Sequence, residues 1–164
     1  MVIQIDTREK AKAIKNIVGY FDKHGIEHFS SKLYVGDYMS LDNPRLIVDR
    51  KQNLSEVYSN LCQGHARFRA EAERARSLGI QLVILVEHGG TIRAIDDVKN
   101  WKNPRLQVSP YAWDGSRLYR TMKTFSERYG IVWEFCDKRS TGRKIVEILN
   151  GGSNIDKTGQ ATPV

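Results

Sequence analysis

Apolar positions along the chain switch between a period of two and a period near 3.6, and each switch marks an element. Residues 2–6, Val-Ile-Gln-Ile-Asp, form a short and largely apolar strand. Thr7 stands where a cap would, ahead of a helix over 8–23 that carries Ile14, Ile17, Val18 and Phe21 on one face. Gly25 ends that helix, and residues 27–33 read as a second, less cleanly alternating strand. Gly36 permits a turn. Residues 38–41 and 46–50 then pair as a hairpin around Asp42-Asn43-Pro44-Arg45, a run of turn formers. Residues 54–61 predict a short helix with Leu54, Val57, Tyr58 and Leu61 inward. After Gly64, residues 65–77 predict a highly charged helix with Ala66, Phe68, Ala72 and Ala75 as its apolar positions. The clearest strand is 80–86, a continuous apolar run of the kind buried on both faces of a sheet. Residues 88–114 carry a weak helical signal near 95–101 and a Pro-containing segment. A helix over 116–129, a strand over 131–135 and a helix over 140–149 follow.

Strands alternating with helices in this order predict an α/β fold with a mixed central sheet flanked by helices. The 164 residues suit one domain over 1–150, large enough to bury a core without disulfides or structural metals. Residues 151–164 hold too little apolar content to pack and are expected to be disordered. No apolar run approaches the roughly 20 residues of a membrane span. The N-terminus lacks the basic segment and apolar core of a signal peptide, so a cytoplasmic protein without a membrane partner is expected. Cys62 and Cys136 stand far apart without metal-ligand spacing, which suits two reduced thiols. His24, His28, His65 and His88 show no paired ligand spacing either.

Charge adds a partner class. The net charge is +7, and residues 117–144 hold eight basic side chains against three acidic ones. Such a stretch suits phosphate contacts or a solvated helix face. Trp133 lies in a strand and is expected in the core. Trp101 and Trp113, in the irregular region, suit packing or base stacking equally.

The candidate chemistry sits at strand ends. Asp6 closes the first strand, Asp37 opens the hairpin, and Asp49 comes near its other end beside Arg50 and Lys51. Hard oxygen ligands of this kind suit Mg²⁺ or Mn²⁺. Strand alternation puts Lys51 on the face of Asp49, where it can orient a water or stabilise a phosphoryl transition state, and turns Arg50 to the other face. Taken singly, an Asp after a Gly is a turn residue and Asp-Arg-Lys a surface run, so spacing alone leaves both readings open.

Four segments together carry a resemblance: Ile-Asp-Thr-Arg-Glu (5–9), Val-Gly-Asp-Tyr (35–38), Ile-Val-Asp-Arg-Lys (47–51) and Leu-Val-Ile-Leu-Val-Glu (82–87). With a basic His-Ala-Arg-Phe helix at 65–68, they resemble the XPF family of structure-selective DNA endonucleases over roughly residues 2–149. The resemblance implies a restriction-endonuclease-like PD-(D/E)XK core and Mg²⁺- or Mn²⁺-dependent phosphodiester hydrolysis. It implies a substrate of branched, flapped or single-strand-containing DNA in repair or recombination, work done in the cytoplasm at the nucleoid, and pairing as a homodimer. Carried over by residue, Asp6, Glu9, Asp37, Asp49, Arg50 and Lys51 are the catalytic set, with Asp6, Asp37 and Asp49 as metal ligands. Arg67 matches a helix arginine near the active site. Arg8, Arg117, Arg120, Lys123, Lys138 and Arg139 are the further candidate DNA contacts. Glu56 resembles the trailing acid of the signature, one position later than Ser55, which occupies the strict place. Asp49 stands where the family more often has Glu. The chain carries neither the helicase domain nor the tandem helix-hairpin-helix module of larger members, so it is expected to resemble the small stand-alone bacterial or phage members. A catalytically silent DNA-binding or scaffolding module, or a nuclease acting on RNA or plain duplex, are the competing readings.

Overall fold

A computed structural model describes residues 1–151. The expected disordered tail therefore lies, but for Gly151, outside the described residues. Six strands form one mixed sheet in the order β2-β1-β3-β4-β5-β6. They are β1 (Val2–Ile5), β2 (Glu27–Ser30), β3 (Tyr38–Ser40), β4 (Asn43–Lys51), β5 (Gln81–Glu87) and β6 (Val132–Cys136). β3 runs antiparallel to both β1 and β4, while β1–β2, β4–β5 and β5–β6 are parallel. Helices α1 (Lys15–Lys23) and α5 (Thr141–Leu149) cover one face, and α2 (Leu54–Cys62), α3 (His65–Ser77) and α4 (Gly115–Tyr129) cover the other. No described helix is long and apolar enough to cross a membrane.

Alternation along the central strands builds a core on each side. Val48, Val83 and Leu85 pack with Ile17, Phe21, Ile145 and Ile148, whereas Ile47, Leu82, Ile84 and Val86 pack with Leu61, Phe68, Leu118 and Met122. Burial on both faces is why β5 reads as an unbroken apolar run. Trp101 and Trp133 are core residues, and the Trp133 indole donates to the Met122 carbonyl at 3.1 Å. Trp113 packs against the edge of that core, with the Tyr58 ring at 5.7 Å.

Three boundaries differ from the pattern-based expectation. The first helix begins at Lys15 rather than Arg8, and Thr7 caps nothing, because residues 6–14 are held in turns by long-range ion pairs described below. β2 ends at Ser30, and the Leu33 amide that would have extended it binds the Asp6 carboxylate instead. The hairpin closes sooner than the turn formers suggest. Asn43, Pro44 and Arg45 already belong to β4, and the register shift between Met39 and Ser40 absorbs the difference. Between β5 and α4 the chain makes two 3₁₀ turns, Ile95–Asn100 and Pro104–Gln107, where only one helical segment was expected.

Gly36 sets the entry to the hairpin. Its φ is +64°, and a Cβ there would stand 2.6 Å from Ile47 Cγ2 and 3.1 Å from the Val48 carbonyl oxygen. Left-handed backbone costs a non-glycine residue about 1–2 kcal/mol, and the contact with β4 adds to it. Gly36→Ala should therefore destabilise the protein by about 2–3 kcal/mol in urea unfolding; a loss below half a kcal/mol would show that the turn relaxes freely.

Candidate active site

Antiparallel pairing of β3 with both its neighbours lines up three acids. Ile5 stands opposite Tyr38 and Tyr38 opposite Val48, so one step further along the strands Asp6, Asp37 and Asp49 sit side by side. The Asp6 amide donates to the Asp37 carbonyl and the Asp37 amide to the Val48 carbonyl, both at 2.8 Å. Alternation sends all three side chains to the face that carries α3.

Their surroundings then separate them. Asp6 is fully buried, and its carboxylate is saturated: Oδ1 accepts from the Arg8 amide at 2.9 Å and Arg8 Nε at 2.6 Å, and Oδ2 accepts from the Leu33 amide at 2.6 Å. Burial disfavours its charge, but these donors outweigh it and hold its pKa below the usual range. Asp37 and Asp49 face each other. Burial first, and the neighbouring Asp49 carboxylate second, push the Asp37 carboxyl well above the usual carboxylate range. Asp49 Oδ2 is buried and lies 3.1 Å from Lys51 Nζ, yet no donor reaches it with hydrogen-bond geometry. Burial works against the charge on Lys51, but Asp49 and Asp37 outweigh it, so the ammonium stays protonated.

These groups open into a cleft of about 260 Å³ lined by Asp37, Asp49, Lys51, Glu56, Arg8 and Glu9, among others. Asp6 does not line it. Glu56 does, but it also caps α2: its carboxylate accepts from the Gln52 amide at 2.6 Å while its own amide donates to Asn53 Oδ1. Pattern reading missed Glu71. This α3 side chain accepts from the Gly36 amide at 3.0 Å, and burial together with the Asp49 charge raises its pKa. Its mark in the sequence was helical spacing, four residues after Arg67 on the same flank of α3. Arg67 itself is exposed and does not line the cleft.

Glu9 and Arg50, expected in the catalytic set, engage each other in the wall of the cleft. Arg50 alternates to the opposite face, where Nε and Nη2 donate to Glu9 at 2.8 and 2.7 Å and Nη1 donates to Glu87 at 3.0 Å. Burial opposes the Arg50 charge, but Glu9 and then Glu87 outweigh it and raise its pKa. The Tyr38 hydroxyl also donates to Glu9, at 3.2 Å. Arg50 is 6% exposed and Glu87 2%, so the guanidinium is committed to its two carboxylates, and Arg50 and Glu9 form part of the cleft wall. The ion triad positions the end of β4. The basic stretch 117–144 divides likewise. Arg117 and Arg120 face α3, Lys123 is exposed on α4, and Lys138 and Arg139 occupy an exposed turn after β6.

Among the described residues no three His, Cys, Asp or Glu side chains converge as a metal cage. The Asp37–Asp49 pair nevertheless fits Mg²⁺ or Mn²⁺. Mg²⁺ is commonly held by one or two carboxylates plus waters and substrate phosphate, and Asp49 Oδ2 is a buried oxygen without a directed donor. The expected third ligand, Asp6, is tied to Arg8 and Leu33.

The ERCC4 domain model matches residues 5–123, more than half of the chain, from the end of β1 through β3, β4 and β5. The chain belongs to the ERCC4 domain family. The fold agrees with that of XPF-type domains. XPF from Aeropyrum pernix is similar with a TM-score of 0.66 at 23% identity, and the same protein in complex with DNA with a TM-score of 0.64 at 21% identity. Both alignments cover 93% of this chain and 65% of the Aeropyrum chain. This ERCC4 domain thus has the restriction-endonuclease-like α/β fold and spans just under two thirds of those structures. No curated protein matches the sequence.

Two substitutions separate support from chemistry. Asp6→Ala leaves the buried Leu33 amide without its acceptor and should cost about 2–4 kcal/mol by chemical denaturation. The Asp6 pKa is depressed by folding, so its contribution is complete at neutral pH and lost as pH falls through the acid range. Equal stability of wild type and variant at pH 7 would free Asp6 for another role. Arg50→Ala, which leaves Glu9 and Glu87 buried without a counter-charge, should cost about 3–5 kcal/mol; a Tm within a degree of wild type would refute the triad.

Proposed function

We propose that this ERCC4 domain is a Mg²⁺- or Mn²⁺-dependent DNA endonuclease acting in the cleft between Asp37 and Lys51. The observation that carries the reading is the Asp37–Asp49 pair: two carboxylates face each other with Lys51 alongside and one buried oxygen undirected. Two carboxylates forced together without a cation repel, and that repulsion adds to burial in raising the Asp37 pKa. Asp37 and Asp49 would hold the cation. Bound there, it supplies Lewis-acid polarisation of the phosphoryl oxygens and neutralises their charge.

The protein's own groups account for the remainder. Lys51 keeps its proton and reaches the cleft from the face of Asp49, so it donates a hydrogen bond to the attacking water or to a non-bridging phosphoryl oxygen. The water oxygen bonds to phosphorus as the phosphorus–sugar oxygen bond breaks; the water's proton passes to solvent, and the leaving sugar oxygen takes one up from solvent. Arg8, at the cleft margin with its side chain 62% exposed, offers to a flanking phosphate the guanidinium nitrogen Nη1 that neither Asp6 nor the Gly36 carbonyl engages. Arg50 and Glu9 hold the β4 end that presents Asp49 and Lys51. The natural substrate in this reading is branched, flapped or partly single-stranded DNA in repair or recombination at the nucleoid, cut by a homodimer. The complex of the Aeropyrum XPF with DNA supports DNA as the polymer.

Cleavage of labelled flaps, forks, junctions, nicked duplex and RNA with Mg²⁺, Mn²⁺ or EDTA tests this directly. Asp49→Ala should lose at least about 10³-fold in rate with its fold intact. Lys51→Ala should lower kcat by about 10²–10³ while Mn²⁺ titration stays near wild type. Undiminished cleavage by purified Asp49→Ala would sink the reading, and binding without cleavage of any substrate would favour a silent DNA-binding module.

A further inference from the structure

Helix α3 has two flanks. Glu71 and Arg67 lie on the one toward the cleft; His65 and Arg69 lie on the other, which meets α4 in a groove of about 350 Å³. Four arginines line this groove, Arg69, Arg117, Arg120 and Arg128, and no acidic side chain does. Only Arg69 has a carboxylate partner among the described residues, Glu73 at 2.9 Å. Thr121 and Thr124 turn their hydroxyl hydrogens back onto α4, to the Arg117 and Arg120 carbonyls at 3.0 Å, and leave a small, neutral wall between the guanidiniums.

Helix energetics do not account for this arrangement. A cation at the C-terminal end of a helix is favoured, which suits Arg128, but Arg117 stands in the first turn of α4, at the positive end of the macrodipole. There it is held by stacking, its guanidinium 4.7 Å from the Trp113 ring centroid. Like charges gathered in one concavity repel unless an anion joins them. All four are arginine, whose planar fork suits phosphate better than a point charge does.

The groove is also placed to share a ligand with the cleft. Lys51 Nζ lies 5.9 Å from the Phe68 ring centroid, and Phe68 lies 5.1 Å from Phe125, which lines the groove. One helix, about 10–12 Å across, separates the two. At about 3.4 Å per nucleotide along a strand, that is a step of roughly three nucleotides.

We propose that the α3–α4 groove is a second backbone-binding site, which grips phosphates of the same nucleic acid about three nucleotides from the bond positioned in the cleft. The substrate lies across α3 and touches both flanks. This assignment rests on the nuclease reading for what occupies the cleft, but the groove's own affinity does not depend on cleavage.

The test is binding of a labelled DNA duplex by fluorescence anisotropy in EDTA across a NaCl series, so it reads the groove even if no bond is ever cut. Arg120→Gln/Arg128→Gln should make the log–log salt slope shallower by about 1.8, two phosphate contacts' worth on duplex DNA. The control Lys15→Gln/Lys23→Gln removes the same charge from exposed positions on α1, across the sheet, and should leave the slope near wild type. Circular dichroism melting confirms that each variant folds. An unchanged slope in the arginine variant overturns the proposal. An equal drop in the control overturns it too, since the effect would then be net charge alone. Poly-glutamate that binds through the same arginines while the duplex slope stays fixed would replace DNA with an acidic protein partner.

Discussion

The buried Arg50 guanidinium, clamped between Glu9 and Glu87, is the interaction on which the site's geometry depends. It joins three parts of the chain that share no local sequence signal: the turn after β1, the end of β4 and the end of β5. A cation so deep is tolerated only because two carboxylates and the Tyr38 hydroxyl close the network around it. Because successive residues on a strand face opposite ways, fixing Arg50 below the sheet fixes Asp49 and Lys51 above it. The chemistry on one face is thus oriented by a charge network on the other.

This division explains which parts of the fold were legible in the sequence. β5 and the inward faces of α2, α3 and α4 follow from hydrophobic period, which depends only on neighbours along the chain. The hairpin and its acids were likewise readable, because Gly36 and Asp37 mark a turn before an apolar strand. The start of α1 was not. Thr7 is a good cap by composition, but Glu9 is drawn to Arg50, 41 residues away, and Asp6 to Leu33, 27 residues away. An ion pair and a buried hydrogen bond of that span overrode a local preference whose worth is about 1 kcal/mol.

Residue roles were less legible than residue positions. Asp6, Glu9, Asp37, Asp49, Arg50 and Lys51 do converge on one end of the sheet, as the motifs imply. Yet two of the acids are already engaged by arginines, and among the described residues only Asp49 keeps a buried oxygen without a directed donor. Motif spacing cannot distinguish an acid that is free to bind a cation from one that neutralises a buried neighbour. Glu71 shows the converse. Its spacing from Arg67 assigns it to one flank of α3, but only the approach of the Gly36 amide shows that this flank meets the acids.

The shortened acid at position 49 fits this crowded arrangement. An Asp holds its carboxylate close to β4, where Lys51 reaches it at 3.1 Å and burial excludes water. A Glu there would carry the charge one methylene outward, toward Asp37 and Glu71, whose own pKa values are already raised by Asp49. Repulsion among three half-buried carboxylates grows as they approach, since the interaction scales inversely with distance in a medium of low effective dielectric. The shorter side chain therefore eases the cation-free state while keeping Oδ2 beside Lys51. An acid arranged in this way gains most from a cation that bridges it to Asp37, and that ties the local choice of Asp over Glu to the same electrostatics that raise the Asp37 pKa.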